Sequence, residues 1–244
     1  MTNKNPVLSH IFQEFFTVEY AKTAEQRSQA YALRYRVYCD EFGSIAADKF
    51  PDQEEKDEYD EFSLHCLIRH KETGLAAACV RLVPALDDKN NSLQLPLEVH
   101  GNDNLDHDYI DSLNLDRATV CEISRLVVDK AFRQRTGEAL TRFGEIQAFD
   151  CTQQTQRPFS IIAIAAFLAA TALTDIHGKT NVFVMLEPFL PAIMERSGIV
   201  FNKAGFDMNY RGIRAPYFIQ TQSVLENMHD NLKELYDLIY KQLK

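Results

Sequence analysis

Val120-Cys121-Glu122-Ile123-Ser124-Arg125-Leu126-Val127-Val128 is the stretch on which the reading of this chain turns. It is an apolar, β-branched run with one acid and one base near its middle, the composition of a buried strand. Residues 158–176 follow as an apolar helix, and Asn181-Val182-Phe183-Val184-Met185-Leu186 reads as a further strand. A helix joining two neighbouring parallel strands is the βαβ unit of an α/β domain, so that fold class is predicted.

Upstream, Phe15 to Ala21 has the make-up of a short strand. Thr23-Ala24-Glu25-Gln26 is a capping box that opens a helix running to about Phe42, with Gly43 as its stop. Phe62 to His70 and Leu75 to Val83 read as a hairpin turned by Lys71-Glu72-Thr73-Gly74. Residues 85–118 are polar and irregular, long enough to suggest a functional loop. Downstream, Ile199 to Tyr210 and Ala215 to Gln220 supply late strands. The last residues, from 221 on, form one amphipathic helix with Leu225, Met228, Leu232, Leu235, Ile239 and Leu243 on its stripe. The expected result is a single domain over 1–244, a mixed sheet with helices on both faces.

The 244 residues carry a formal charge of −9, unevenly spread. Asp48 to Glu61 holds −6 and Asp87 to Asp116 holds −7, so the remainder is +4, of which Arg125 to Arg142 contributes +3. An acidic chain of this size is a poor partner for nucleic acid, whereas a cationic island suits something anionic or is a solvated face. Five cysteines without a C-x-x-C pair, three of them in strand-like runs, read as reduced structural thiols. The first ten residues include Asn, Lys and His and no apolar core follows, so no signal peptide is read and a cytoplasmic protein is expected. Phe159 to Leu173, the most apolar stretch, falls short of the ~20 residues that span a bilayer; it reads as a buried helix first and an interfacial one, in peripheral membrane contact, second. The seven histidines are scattered without metal-ligand spacing, so no metal site is expected.

Glu122 is the best candidate for chemistry. A carboxylate in an apolar strand is costly unless paired, and its pKa tends to rise, as a general base for an amine requires. The alternative is a structural ion pair. On a regular strand Glu122 and Arg125 point to opposite faces, and only a bulge would bring them together. Asp57, Asp60 and Glu61 precede a strand whose hairpin partner carries Arg81; they could cradle a cationic or zwitterionic molecule, or be surface acids. Arg34 and Arg36 add possible anion contacts from the first helix. For phosphate recognition two places stand open: Gln134-Arg135-Thr136-Gly137-Glu138-Ala139, and the helix start at Arg157-Pro158, which leads more directly to Asn181.

Leu33-Arg34-Tyr35-Arg36-Val37-Tyr38-Cys39-Asp40-Glu41-Phe42-Gly43, Asp57-Glu58-Tyr59-Asp60, Val80-Arg81-Leu82-Val83-Pro84 and Glu122-Ile123-Ser124-Arg125-Leu126, in this order, resemble the acyl-homoserine-lactone synthase branch of the GNAT superfamily. Met185-Leu186-Glu187-Pro188, Arg196-Ser197-Gly198-Ile199 and Tyr210-Arg211-Gly212-Ile213-Arg214-Ala215-Pro216-Tyr217 look closer to acyltransferases associated with exosortase/PEP-CTERM systems and to N-acyl amino acid synthases. The resemblance spans residues 15–220. It implies a GNAT-like α/β/α sandwich with a mixed, splayed sheet, and transfer of a fatty acyl group from acyl carrier protein or coenzyme A onto an amine, with no tightly bound cofactor. By analogy it gives Glu122 and Arg125 catalytic roles and places Arg34, Asp57, Asp60 and Arg81 around the acceptor. The thioester donor would meet Arg133, Arg135, Arg142, Arg157 and Ser160, and the helix 158–176 would wall an acyl tunnel. Lactone synthases carry a Trp after the first helix, and this chain has none, which favours an amide product over a lactone. The alternatives are a lactone synthase consuming S-adenosylmethionine and a silent module that senses acyl thioesters or lipids. Monomer and homodimer remain equal expectations.

Overall fold

In a computed structural model that describes residues 8–133, 161–209 and 212–244, the chain opens with a helix that the sequence reading did not foresee. This is α1 (Leu8–Phe15), whose Leu8, Ile11 and Phe12 recur at helical spacing and are buried. It runs directly into β1 (Phe16–Tyr20). Thr23 then caps α2 (Ala24–Tyr35): its hydroxyl accepts from the Gln26 N–H at 3.1 Å, and the Gln26 side chain accepts from the Thr23 N–H at 3.0 Å. The next six residues, Arg36–Glu41, wind as a π-helix, with the Phe42 N–H donating to the Val37 carbonyl at 3.1 Å. Gly43 ends it at φ +55°, the left-handed conformation that glycine takes without strain.

β2 (Leu64–His70) and β3 (Ala76–Pro84) form the expected hairpin. The segment 85–118 is folded rather than irregular. It holds α3 (Pro96–His100) and α4 (His107–Ser112), and its Leu95, Leu97 and Leu105 pack with Val83, Phe183 and Phe218 of the sheet. The apolar pins lie among so many polar neighbours that composition hid them.

β4 (Val120–Val128) and β5 (Asn181–Leu186) have the bounds read from the sequence and pair in parallel. Between them come α5 (Lys130–Arg133) and α6 (Ile161–Ile176). Residues 134–160, which hold both expected phosphate loops and the first turn of the expected helix, lie outside the described residues. After α7 (Leu190–Glu195), the expected strand 199–210 reduces to β6 (Asn202–Lys203) and β7 (Met208–Asn209), both paired with β8 (Ile213–Gln220). Gly205 separates them because the chain there presses on segment 85–118: a Cβ would lie 2.1 Å from the Asn104 carbonyl oxygen. The C-terminal helix is also two, α8 (Thr221–Asn227) and α9 (Asp230–Leu243), with an extended bend at Met228. Met228, Leu232, Leu235, Ile239 and Leu243 of the apolar stripe are buried in the core with α1 and α6.

The sheet runs β1-β2-β3-β4-β5-β8-β6, with β7 beside β8, and among the described residues only the β4–β5 pair is parallel. Helices α1, α6 and α9 cover one face; α2 and segment 85–118 cover the other. This is the α/β/α sandwich expected. Pairing between β4 and β5 stops at Ile123 and Val184 although both strands continue, so the sheet splays open at its centre.

Candidate active site

At the splay, β4 is irregular. Its register against β3 shifts between Cys79 and Arg81, and Arg125 takes φ +54°, a conformation a non-glycine residue rarely adopts. The result is the bulge that the sequence could only pose as a condition. Ser124 still faces Arg81, whose Nε donates to its hydroxyl at 3.1 Å, and Arg125 is turned onto that same face. Glu122 and Arg125 therefore border one cleft.

Behind the cleft wall lies a closed set of three guanidiniums and three carboxylates. Arg34 donates to Glu55 at 2.5 Å and to both oxygens of Asp60 at 2.7 and 2.9 Å. Arg81 donates to Asp57 at 2.5 Å and Asp60 at 2.9 Å, while Arg125 donates to Glu55 at 2.9 Å and Asp57 at 2.8 Å. Burial alone would raise Glu55 and Asp60, but the guanidiniums outweigh it. Arg34 and Arg125 hold Glu55 at about 2, and Arg34 and Arg81 hold Asp60 well below the usual carboxylate range. Burial also lowers the neighbouring His65 to about 4, so it stays neutral beside Asp60. The four residues expected around the acceptor are thus brought together. Arg34, Arg81 and Asp60 are buried beneath the surface as positioning groups, and Asp57 reaches a shallow hollow beside Arg125 and His100. Glu55, which completes the set, went unrecognised within a run of eight acids; no local signal sets it apart.

Glu122 is different. It is 3% exposed, and its Oε2 accepts one hydrogen bond, from the Leu97 N–H at 2.7 Å. Among the described residues no Lys or Arg nitrogen lies within ion-pair distance of it, so the ion-pair alternative is not what the structure shows. Burial pushes its carboxyl up; the Leu97 amide and the more distant Arg81 and Arg125 pull only partly against that, leaving it at about 7. The amide comes from segment 85–118, whose Glu98 accepts from the Leu95 N–H at 2.8 Å and pairs with Arg117.

The cleft itself is apolar and encloses about 1310 Å³, counting its open mouth. From Glu122 and Tyr38 it passes between the splayed strands to Phe167 and Ala170 of α6 and on to Met194 and Val224. The helix expected to wall an acyl tunnel, α6, lines this cleft. Arg133, expected to meet the donor, is turned inward, where it pairs with Glu41 and stacks 5.0 Å from the Phe42 ring. Arg135, Arg142, Arg157 and Ser160 lie outside the described residues. Cys66, Cys79 and Cys121 are buried free thiols, and burial pushes Cys79 up to about 12, so they are inert. Among the described residues no helix is long and apolar enough to cross a membrane.

Residues 33–142 match the family model described as acetyltransferase (GNAT) domain. No curated protein matches the chain in sequence. Among solved structures, TofI in a ternary complex with an inhibitor and MTA is 17% identical at a TM-score of 0.60, the match covering 91% of this chain and 99% of that one. The acyl-homoserine-lactone synthase LasI is 14% identical with a TM-score of 0.54, over 88% of this chain and 96% of that one. FeeM, an N-acyl amino acid synthase from uncultured soil microbes, is 10% identical with a TM-score of 0.54, over 87% and 94%. The sequence match covers β3 and β4 and thus the Glu122 strand, and the fold matches extend over nearly the whole chain. Residues 33–142 are thus similar to an acetyltransferase (GNAT) domain, and the chain as a whole has the fold shared by acyl-homoserine-lactone synthases and an N-acyl amino acid synthase.

Proposed function

We propose that the chain is an N-acyltransferase that moves a fatty acyl group from an acyl-carrier-protein or coenzyme A thioester to the amine of an amino acid or a similar small molecule. The observation that carries this reading is Glu122, an unpaired buried carboxylate held at about 7 where the sheet opens onto an apolar cleft. A group titrating there is half ionised near neutrality and can take a proton from an attacking ammonium or amine. The amine nitrogen bonds to the thioester carbonyl carbon, the C–S bond breaks, and the sulfur leaves as thiolate. The proton lost by nitrogen passes to Glu122 and then to solvent or to the thiolate. Beyond Ile123 and Val184 the edges of β4 and β5 that face each other no longer pair, and amides on them can donate to the developing oxyanion. The acyl chain lies along Phe167, Ala170 and Met194, where burying each methylene favours binding by about 0.8 kcal/mol.

The test supplies the purified chain with long-chain acyl-coenzyme A, acyl carrier protein thioesters and a panel of amino acids, and reads products by mass spectrometry. N-acyl amino acids are expected, with a rate that rises as pH increases through about 7 as Glu122 ionises. Glu122→Gln should lower that rate by about 10²–10⁴-fold. Full activity in this variant removes Glu122 as base. Release of methylthioadenosine from S-adenosylmethionine would assign a lactone instead, and no product from any donor would favour a binding module.

A further inference from the structure

Arg214 opens the regular part of β8 and borders the cleft, yet among the described residues its guanidinium has no hydrogen-bond or ion-pair partner. Its Nε and Nη2 are buried with no hydrogen bond, and no described carboxylate pairs with it. Every arginine of the charged set behind the wall is neutralised; Arg125, the other arginine on the cleft, is held by Glu55 and Asp57. Arg214 is partly buried, and holding two of its guanidinium nitrogens away from water without a partner is costly, an arrangement that makes sense when an anionic ligand supplies the counter-ion.

The register fixes where that charge stands. Glu122, Phe183 and Phe218 lie in one row across β4, β5 and β8. Phe218 packs with Phe183 and Val83 on the Glu122 face, whereas Ile219 packs with α6 on the other. Alternation along β8 therefore puts Arg214 on the Glu122 face, four residues and roughly 13 Å along the strand from that row. It lies beyond the last β5–β8 pair, Leu186 with Ala215, on the opposite lip of the splay from Arg125. Met208, its partner on β7, and Met185 also border the cleft here and limit water around it. The α6 side of the splay offers a mostly apolar wall, its Thr171 and Thr174 hydroxyls taken up by hydrogen bonds to the Phe167 and Thr171 carbonyls. The Glu122 side offers one proton acceptor and, along the same face, one unspent cation.

We propose that Arg214 is the carboxylate-binding residue of the acceptor site, so that the acceptor is a zwitterionic amine whose nitrogen meets Glu122 while its carboxylate is gripped by the Arg214 guanidinium. This rests on the N-acyltransferase reading and narrows it to amines that carry a carboxylate. It also gives the guanidinium the bidentate acid it fits best.

The experiment compares wild type, Arg214→Met and Arg214→Lys with amino acids and with the amines made by their decarboxylation, at fixed acyl-coenzyme A. Arg214→Met should raise KM for the amino acids by about 10–100-fold while leaving KM for the decarboxylated amines and for acyl-coenzyme A unchanged. Arg214→Lys should recover part of the loss. An equal loss on both acceptor classes overturns the proposal, as does a loss confined to the donor, which would make Arg214 a phosphate ligand. Calorimetric titration of the same amino acids into wild type and Arg214→Met, with acyl-coenzyme A present, separates the two readings. Binding that Arg214→Met abolishes upholds the carboxylate site even if no product forms, and binding that it leaves intact, or no binding to wild type, removes the site. Arg214→Met loses no contact and should melt no lower than wild type, so a folding failure would itself contradict the unpartnered placement.

Discussion

Glu55 and Glu122 are buried to the same degree, 1% and 3% exposed, yet one is held at about 2 and the other rises to about 7. What separates them is the company of guanidiniums. Glu55 is clasped by Arg34 and Arg125, whereas Glu122 accepts a single amide hydrogen bond. The first region joins α2, segment 50–61 and β4 into one rigid wall; the second leaves a carboxylate free to exchange a proton. Burial raises both groups, so the pattern of ion pairs alone decides which acid stays ionised and which titrates near neutrality.

The largest test of this contrast exchanges the two roles. Glu122→Gln should lose about 10²–10⁴-fold in transfer rate with no fall in its denaturant midpoint. Glu55→Gln strips the buried Arg34 and Arg125 of a shared partner and should cost about 3–5 kcal/mol in urea unfolding. Similar stability losses in the two variants would erase the distinction.

The pH dependence of melting should split in the same way. Glu122, raised from 4.5 to about 7, binds more protons folded than unfolded between those values. Its stabilising contribution is complete below about 4.5 and is lost as pH rises through 7. Glu122→Gln should therefore gain on wild type across that window, approaching about 3 kcal/mol above it. Glu55, lowered from 4.5 to about 2, contributes above about 4.5 and loses that contribution as pH falls towards 2. His65, lowered by burial from 6.5 to about 4, adds to the same acid limb, starting as pH drops below 6.5. Thermal melts of wild type and both variants across the pH range check the assignment. An alkaline limb unchanged in Glu122→Gln would contradict it.

A smaller effect probes the apolar half of the cleft. Ala170→Phe fills the wall on α6, so the preferred acyl chain should shorten, at a stability cost of about 1–3 kcal/mol. A chain-length profile with saturated donors reads it. The smallest is Lys56→Ala in the exposed Asp52–Lys56–Glu54 pairs, expected to leave Tm and activity unmoved. A clear loss there would extend the structural set to the surface.

Much of this frame was legible in the residues. β4, β5 and the hairpin β2–β3 follow from apolar runs and one glycine turn, and Thr23 and Gln26 form the capping box their spacing announces. Local patterns of that kind need no knowledge of distant chain. The failures share the opposite character. Glu55 looks like its seven acidic neighbours until Arg34 and Arg125 arrive from two other elements. Residues 85–118 are ordered by Leu95, Leu97 and Leu105 reaching the sheet, and the late strands are interrupted where Gly205 meets Asn104. The positive φ of Arg125 has no local signature at all. The four residues expected around the acceptor do sit together, but which of them are sealed from the cleft depended on packing.

The π-helical turn at Arg36–Glu41 has a consequence for how the first helix addresses the site. An α-helix advances about 100° per residue, so one extra residue accommodated within a turn rotates everything after it by that angle about the helix axis. Tyr38 stands in this turn, borders the cleft and receives the Arg125 guanidinium 5.7 Å from its ring centre. The same turn folds Ser44 and Ile45 back onto the Tyr38 carbonyl. Rewinding 36–41 as ordinary α-helix with every residue kept would leave the composition untouched, yet swing one end of the helix out of phase with the other. Arg34 would keep its place in the charged wall and Tyr38 would leave the cleft, so the length of this one turn sets the angle between the helix's structural end and its reactive one.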